Sequence, residues 1–146
     1  MQFSILKDET QFFTLLPEDW QESIVPIWQQ IKNHATIYIL QEDDNSIVAG
    51  GVVFSTIIPE IEAYKEEAYF WFAKNYLYIG YVWVPEDQRN KSYGKLWLQH
   101  LQNYNTKQQY WLTIEDKNLR TFYEKVGFTY VKTISYDFIE EELLVC

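Results

Sequence analysis

A mixed α/β fold is predicted by three observations on the sequence. Short runs rich in β-branched and aromatic residues alternate with stretches whose apolar residues recur every three or four positions, the periods of strand and helix respectively. One run, Leu77–Val84 (LYIGYVWV), is apolar throughout and closed by Pro85, as expected of a strand buried on both faces. Turn and cap residues, such as Glu42-Asp43-Asp44-Asn45 and Gly127, fall between these stretches, where chain reversals and helix ends need them.

Taken in order, Gln2–Lys7 alternates through Phe3 and Ile5 and reads as a strand. Thr10–Leu16 and Pro17–Ile31 read as helices. In the second, Trp20, Ile24, Ile27, Trp28 and Ile31 share one face, and Pro26 within it should kink or split the helix. Thr36–Leu40 and Ile47–Ser55 flank the acidic turn and form a hairpin. Pro59–Tyr76 reads as a helix through Ile61, Tyr64, Ala68, Trp71 and Phe72. After the strand Leu77–Val84 comes a polar loop, then a helix over Ser92–Tyr104 with Tyr93, Trp97, Leu101 and Tyr104 on one side. Gln109–Ile114 is a strand. Asn118–Val126 is the best-punctuated helix, with Asn118 at its N-cap, a Leu119/Phe122/Tyr123/Val126 stripe and Gly127 at C′. Strands over Phe128–Ser135 and Asp137–Val145 complete the chain.

A length of 146 residues suits one domain of roughly 100–200 residues, so residues 1–146 are expected to form one unit. With 47% hydrophobic and 18% aromatic residues the chain is not disordered. A net charge of −9 repels phosphate backbones and disfavours nucleic acid as a partner. It is compatible with a cationic substrate, and solubility alone would explain it equally well. Cys146 is the only cysteine, which excludes an internal disulfide and makes a Cys-based metal site unexpected. His34 and His100 stand alone, without a ligand set that would suggest a metal. The opening MQFSILKDETQFF lacks a signal-peptide pattern, and no apolar run nears the length of a membrane span. The cytoplasm is the compartment expected by elimination, with no membrane partner.

The chemistry-bearing segment is VWVPEDQRNKSYGKLWLQHL, Val82 to Leu101. A buried strand ends, a polar loop follows and a helix begins near Ser92. The first N–H groups of a helix lack internal partners and carry partial positive charge, which suits a phosphate or pyrophosphate. Gly94 admits a close approach by the ligand. Arg89, Lys91 and Lys95 concentrate positive charge in an otherwise acidic chain.

Arg89-Asn90-Lys91-Ser92-Tyr93-Gly94 resembles the R/Q-x-x-G-x-G/A loop of the GNAT acetyltransferases. Downstream, Leu112-x-Ile114, Asn118 and Phe122-Tyr123-Glu124-Lys125-Val126-Gly127-Phe128 resemble that family's second signature. Ser92 stands where the family usually has glycine, and Thr121 where alanine is common. The resemblance implies an acyl-CoA N-acyltransferase fold: a mostly antiparallel central sheet of six to seven strands with helices on both faces.

It also implies roles. Val82, Trp83 and Val84 would present backbone groups to the acetyl thioester and pantetheine of acetyl-CoA. Arg89, Asn90, Lys91, Ser92, Tyr93, Gly94 and Lys95 would hold the pyrophosphate, and Asn118 would touch the pantetheine. Tyr123 would protonate the leaving thiolate, although a core aromatic is an alternative reading of this residue. The implied activity is metal-free transfer of an acetyl group from acetyl-CoA to a primary amine of a small molecule or peptide, and a homodimer is allowed. A catalytically idle acyl-CoA-binding sensor or interaction module is the rival reading.

The general base is not identifiable in the sequence; Glu115 and Asp116 are candidates. An aromatic wall for the acceptor is expected from Tyr64, Tyr69, Phe70, Trp71 and Phe72.

Overall fold

Seven strands form one mixed sheet in the order β1-β2-β3-β4-β5-β7-β6. The structure, a computed structural model, describes residues 1–146. The strands are β1 (Gln2–Leu6), β2 (Ala35–Gln41), β3 (Ile47–Phe54), β4 (Tyr76–Trp83), β5 (Gln109–Ile114), β6 (Thr129–Tyr136) and β7 (Ile139–Val145). All neighbours are antiparallel except β4 and β5, as expected of a mostly antiparallel sheet.

The helices are α1 (Thr10–Phe13), α2 (Glu18–Ile24), α3 (Trp28–Ile31), α4 (Lys65–Ala73), α5 (Tyr93–Tyr104) and α6 (Leu119–Glu124). The predicted Pro17–Ile31 helix is split by a 3-10 turn over Val25–Ile27 that contains Pro26, as the missing proline N–H requires. Two helix predictions need correction. Thr10–Leu16 is helical only to Phe13. Pro59–Tyr76 begins as a 3-10 helix over Pro59–Tyr64, continues as α4 to Ala73, and yields Tyr76 to β4. Its apolar spacing was genuine, since Ile61, Tyr64, Ala68 and Trp71 are all buried; the tighter first turn is not written in that period. No helix is long and apolar enough to cross a membrane.

Helices cover both faces. On one, α1–α4 and the 3-10 helix bury Phe12, Ile24, Trp28, Ile61 and Ala68 against Ile37, Phe54 and Trp111. On the other, α5 and α6 bury Trp97, Leu98, Leu101, Tyr123 and Val126 against Val53, Ile79 and Leu112. Two adjacent glycines of β3 set the distance of these layers. A Cβ on Gly50 would lie 2.4 Å from the Phe12 ring, and one on Gly51 would lie 2.6 Å from the Trp97 ring. The Trp97 ring is further fixed by Nε1, which donates to the Tyr38 carbonyl at 2.9 Å.

Gly51→Ala should therefore push Trp97 and α5 off the sheet and cost about 1–3 kcal/mol, as overpacking does. Thermal unfolding reads this directly. A melting temperature equal to wild type would show that α5 is not seated on this glycine.

Candidate active site

The parallel ladder of β4 and β5 joins only Tyr76 with Gln109, Leu77 with Tyr110 and Tyr78 with Trp111. Beyond Tyr78 the two strands part. At the same place the β3–β4 register shifts between Gly50 and Val52, and Tyr81 adopts a left-handed φ of 55°. Such a bulge bends its strand; the non-glycine φ costs about 1–3 kcal/mol and persists only where surroundings enforce it. Here the enforcement is visible. The Tyr81 hydroxyl is 2.6 Å from Ser23 Oγ, and its ring meets Trp20 at 5.9 Å and Phe54 at 6.1 Å.

The parted strands leave a cleft of about 350 Å³ that runs through the sheet. Trp20, Glu60, Tyr81 and Glu141 line it on the α1–α4 side, and Val82, Leu119 and Tyr123 on the α5–α6 side. The lining includes the carboxylates Glu60, Glu115, Asp116 and Glu141, and no Lys, Arg or His.

Tyr123 is 8% exposed and packs edge-on against Phe122 and Phe128. Its hydroxyl has no partner in the fold, and burial pushes its pKa up to about 12. It therefore stands as a protonated phenol at neutral pH, able to donate into the cleft. Its ring belongs to the hydrophobic core on this face, as the core-aromatic reading has it, while its hydroxyl bonds to no group of the fold. Its helix is tied to β7 by a two-pronged ion pair: Arg120 Nε and Nη2 donate to Glu142 Oε1 and Oε2 at 3.0 and 2.7 Å. The guanidinium also stacks on Tyr130 at 3.9 Å.

The predicted Asn118 cap is not made. Asn118 already has helical φ and ψ, and its side chain caps nothing. Asp116 does this work, accepting the Asn118 N–H on Oδ1 at 3.0 Å and the Leu119 N–H on its carbonyl. Asn118 is thus already helical where a cap would be extended, and its exposed side chain bonds to no group of the fold.

The loop Arg89–Lys95 lies just past the end of β4. The first bond of α5 runs from the Leu96 N–H to the Ser92 carbonyl, so the N–H groups of Tyr93, Gly94 and Lys95 precede it without helical partners. Asn90 and Ser92 are both left-handed, at φ 64° and 63°. Ser92 thus holds the conformation for which glycine is the ordinary choice, and its hydroxyl makes no cap bond. Gly94 has no positive φ; what it provides is room, with a Cβ there meeting Phe122 at 3.4 Å and Val84 at 3.6 Å.

The Tyr93 hydroxyl donates to Glu42 Oε1 at 2.9 Å and moors the loop to the β2–β3 turn. Arg89 turns back toward the strand, stacking on Trp83 at 4.6 Å and donating through Nε to the Val84 carbonyl at 3.1 Å. Lys91 reaches Gln88 at 3.4 Å, and Lys95 is exposed.

The expected aromatic wall falls elsewhere. Tyr69 and Phe70 are 60% and 50% exposed on α4, and Trp71 packs on Phe70 and Tyr76. Tyr64 alone approaches the site, with its hydroxyl 2.8 Å from Thr113 Oγ1. The aromatic rings that line the cleft on this side are instead Trp20, Tyr78 and Tyr81, with Trp20 edge-on to Tyr81 at 5.9 Å. Glu60 and Glu141 were also missed. No local pattern marks them, since each is an acidic residue in an acidic chain until the fold brings them together.

Comparison with known proteins places this geometry. The chain overlays on an aminoglycoside 6′-N-acetyltransferase complexed with coenzyme A at TM-score 0.71 and 11% identity, covering 100% of this chain and 96% of that one. It overlays on an N-acetyltransferase from Staphylococcus aureus Mu50 at 0.68 and 16%, covering 100% of both. A spermidine N-acetyltransferase chimera from Vibrio cholerae gives 0.69 and 7%, over 99% and 93%. Such low identities speak for a shared acyl-CoA N-acyltransferase fold. Comparison with curated protein sequences gave no match. The family model described as Acetyltransferase (GNAT) family matches residues 3–128, and the chain belongs to that family.

Arg120→Ala should leave the Glu142 carboxylate, 6% exposed, without its cation. We expect the melting temperature to fall, by less than for a fully buried pair because Arg120 is itself partly exposed. A change under 2 °C would show that this pair does not secure α6.

Proposed function

We propose that the chain catalyses transfer of the acetyl group of acetyl-CoA to the primary amine of a small molecule or peptide. The observation that carries this reading is the cleft between β4 and β5, open on both faces of the sheet, with an unpartnered buried phenol on one side and carboxylates on the other. Acyl transfer by direct attack needs two such approaches, one for the incoming amine and one for the leaving thiol.

In this reading the free N–H groups of Tyr93, Gly94 and Lys95, with the ammonium groups of Lys91 and Lys95, hold the pyrophosphate. Asn90 and Ser92 shape the loop, and Arg89 turns from Trp83 to reach a phosphate or braces Val84 in place. The free edge of β4 at Val82–Val84 receives the pantetheine and the thioester, one N–H donating to the carbonyl oxygen. A donor of this kind contributes about 10²–10³ in rate. Asn118 contacts the pantetheine. Holding both reactants in one cleft supplies the proximity term. The acceptor enters past Trp20 and Tyr81, where aromatic faces and carboxylates without a basic neighbour in the cleft lining suit a cation. The amines named for two structural relatives, an aminoglycoside and spermidine, are consistent with that class. Activity in the cytoplasm by a single domain accords with this chemistry.

Tyr123→Phe removes only a hydroxyl that has no partner in the fold. Melting temperature and acetyl-CoA affinity should stay at wild-type values, while kcat falls by about 10²–10⁴. The assay is thiol release from acetyl-CoA with spermidine, kanamycin and a peptide N-terminus. A kcat within twofold of wild type would remove Tyr123 from the reaction. Acetyl-CoA binding without thiol release from any amine would favour the idle binding module.

A further inference from the structure

The α1–α4 side of the cleft holds a second group that no sequence motif marks. Glu60 belongs to the 3-10 helix Pro59–Tyr64, and its Oε2 lies 3.6 Å from where a Gly80 Cβ would stand. Gly80 is on β4 just beyond the last β4–β5 pair, so the carboxyl overhangs the point where the strands part. Glu141 reaches the same space from β7 and accepts a hydrogen bond from the Tyr136 hydroxyl of β6. The other titratable groups facing Glu60 are Tyr64 on its own element, Tyr78 and Tyr81 on β4, and Tyr136 on β6. Glu115, after β5, acts on Tyr136. None of these groups is a Lys, Arg or His. No third His, Cys, Asp or Glu joins this pair in a geometry able to hold a metal ion.

We propose that Glu60 is the base that removes the proton from the acceptor ammonium, and that Glu141, held by Tyr136, is the positioning residue that sets its proton affinity. The proposal rests on the acetyltransferase reading above. Glu60 and Tyr123 lie on opposite sides of one cleft. A nitrogen entering beside Glu60 therefore meets a thioester whose sulfur leaves toward Tyr123.

The protons balance as follows. Glu60 takes one proton from the ammonium and passes it to solvent at the cleft mouth. The free amine attacks the acetyl carbon, the C–N bond forms, and the nitrogen gives its second proton to Glu60. The C–S bond breaks, sulfur takes the Tyr123 proton, and water restores the phenol. One proton is released overall.

A base must be deprotonated at the working pH yet hold a proton well enough to take it. Burial, and then the negative charge of Glu141, push Glu60 up to about 7. Glu60 as a residue is exposed at the cleft mouth, which gives the proton its exit, while its carboxyl turns in over Gly80 and away from bulk water.

The shift also has a stability consequence. A carboxyl raised in the fold from an ordinary value near 4.5 favours folding while protonated, and that advantage is lost as pH rises from about 4.5 through about 7. Glu60→Gln should therefore be at least as stable as wild type at pH 8, so lost activity cannot be ascribed to unfolding.

The test measures kcat/KM for the fastest amine of the panel between pH 5.5 and 9 on wild type, Glu60→Gln and Glu141→Gln. Wild type should show an acid limb near pH 7. Glu60→Gln should lose about 10²–10³ in kcat/KM and the limb with it. Glu141→Gln should keep the limb but move it to lower pH. A Glu60→Gln variant within twofold of wild type, or one that is slow but retains the limb, would overturn the proposal while leaving the acetyltransferase reading intact. Carboxyl ¹³C NMR of glutamate-labelled protein follows Glu60 without turnover. Titration near 7 that drops in Glu141→Gln supports the pair, and titration in the ordinary carboxylate range overturns it. Wild type silent with every amine would overturn the acetyltransferase reading, and the role of Glu60 as base with it.

Discussion

The parting of β4 from β5 after three residue pairs is the constraint on which the rest of the site depends. A sheet that stayed zipped to the ends of these strands would be covered by helices on both faces and would offer no passage. What prevents zipping is a set of local commitments on β4. The left-handed Tyr81 is held by Ser23 and Trp20, the register slips against β3, and Gly80 presents no side chain. The opening also exposes the free edge of β4 to whatever enters. Strain and unpaired backbone are tolerated here because the surrounding core, from Phe54 to Trp111, over-determines the strand.

The two faces of the sheet are chemically unlike, and the cleft joins them. The α5–α6 face ends in unpaired N–H groups and lysines at the start of α5, a place for phosphate. The α1–α4 face ends in carboxylates and aromatic rings without a basic residue, a place for a cation. The net charge of −9 is therefore not spread evenly in its consequences: near the cleft it coincides with the side suited to an amine, while the local basic loop serves the other side. In the proposed reaction this division would serve an anionic cofactor on one side and a cationic acceptor on the other.

Much of this was legible in the sequence, and the exceptions share a cause. Strand β5 and helix α5 were read nearly to the residue because their patterns are periodic and their ends are punctuated. Pro26 split its helix as its missing N–H demands. The Arg89–Lys95 loop was placed correctly, because a strand, a polar loop and a helix start are local features. Where the reading failed, tertiary contacts decided. Asp116 displaced Asn118 as the cap because the chain turned helical earlier than its apolar stripe. The aromatic lining lies not on α4 but in Trp20, Tyr78 and Tyr81, since a helical stripe shows which face is buried and not what it faces. Glu60 could not have been singled out: its properties come from Gly80, Glu141 and burial, residues distant in sequence or effects absent from it.

The central claim is that acetyl-CoA lies along the free edge of β4 with its pyrophosphate at the start of α5. Amide hydrogen exchange with and without acetyl-CoA tests it most directly, because the groups concerned are backbone N–H groups on the edge of β4 no longer paired with β5 and at the unbonded start of α5. The account predicts slowed exchange at Ile79–Val84 and Tyr93–Lys95, and little change along β1, β2 and β6. Protection concentrated instead in the separate cavity lined by Gln11, Asn45 and Gln88, with β4 unaltered, would contradict it.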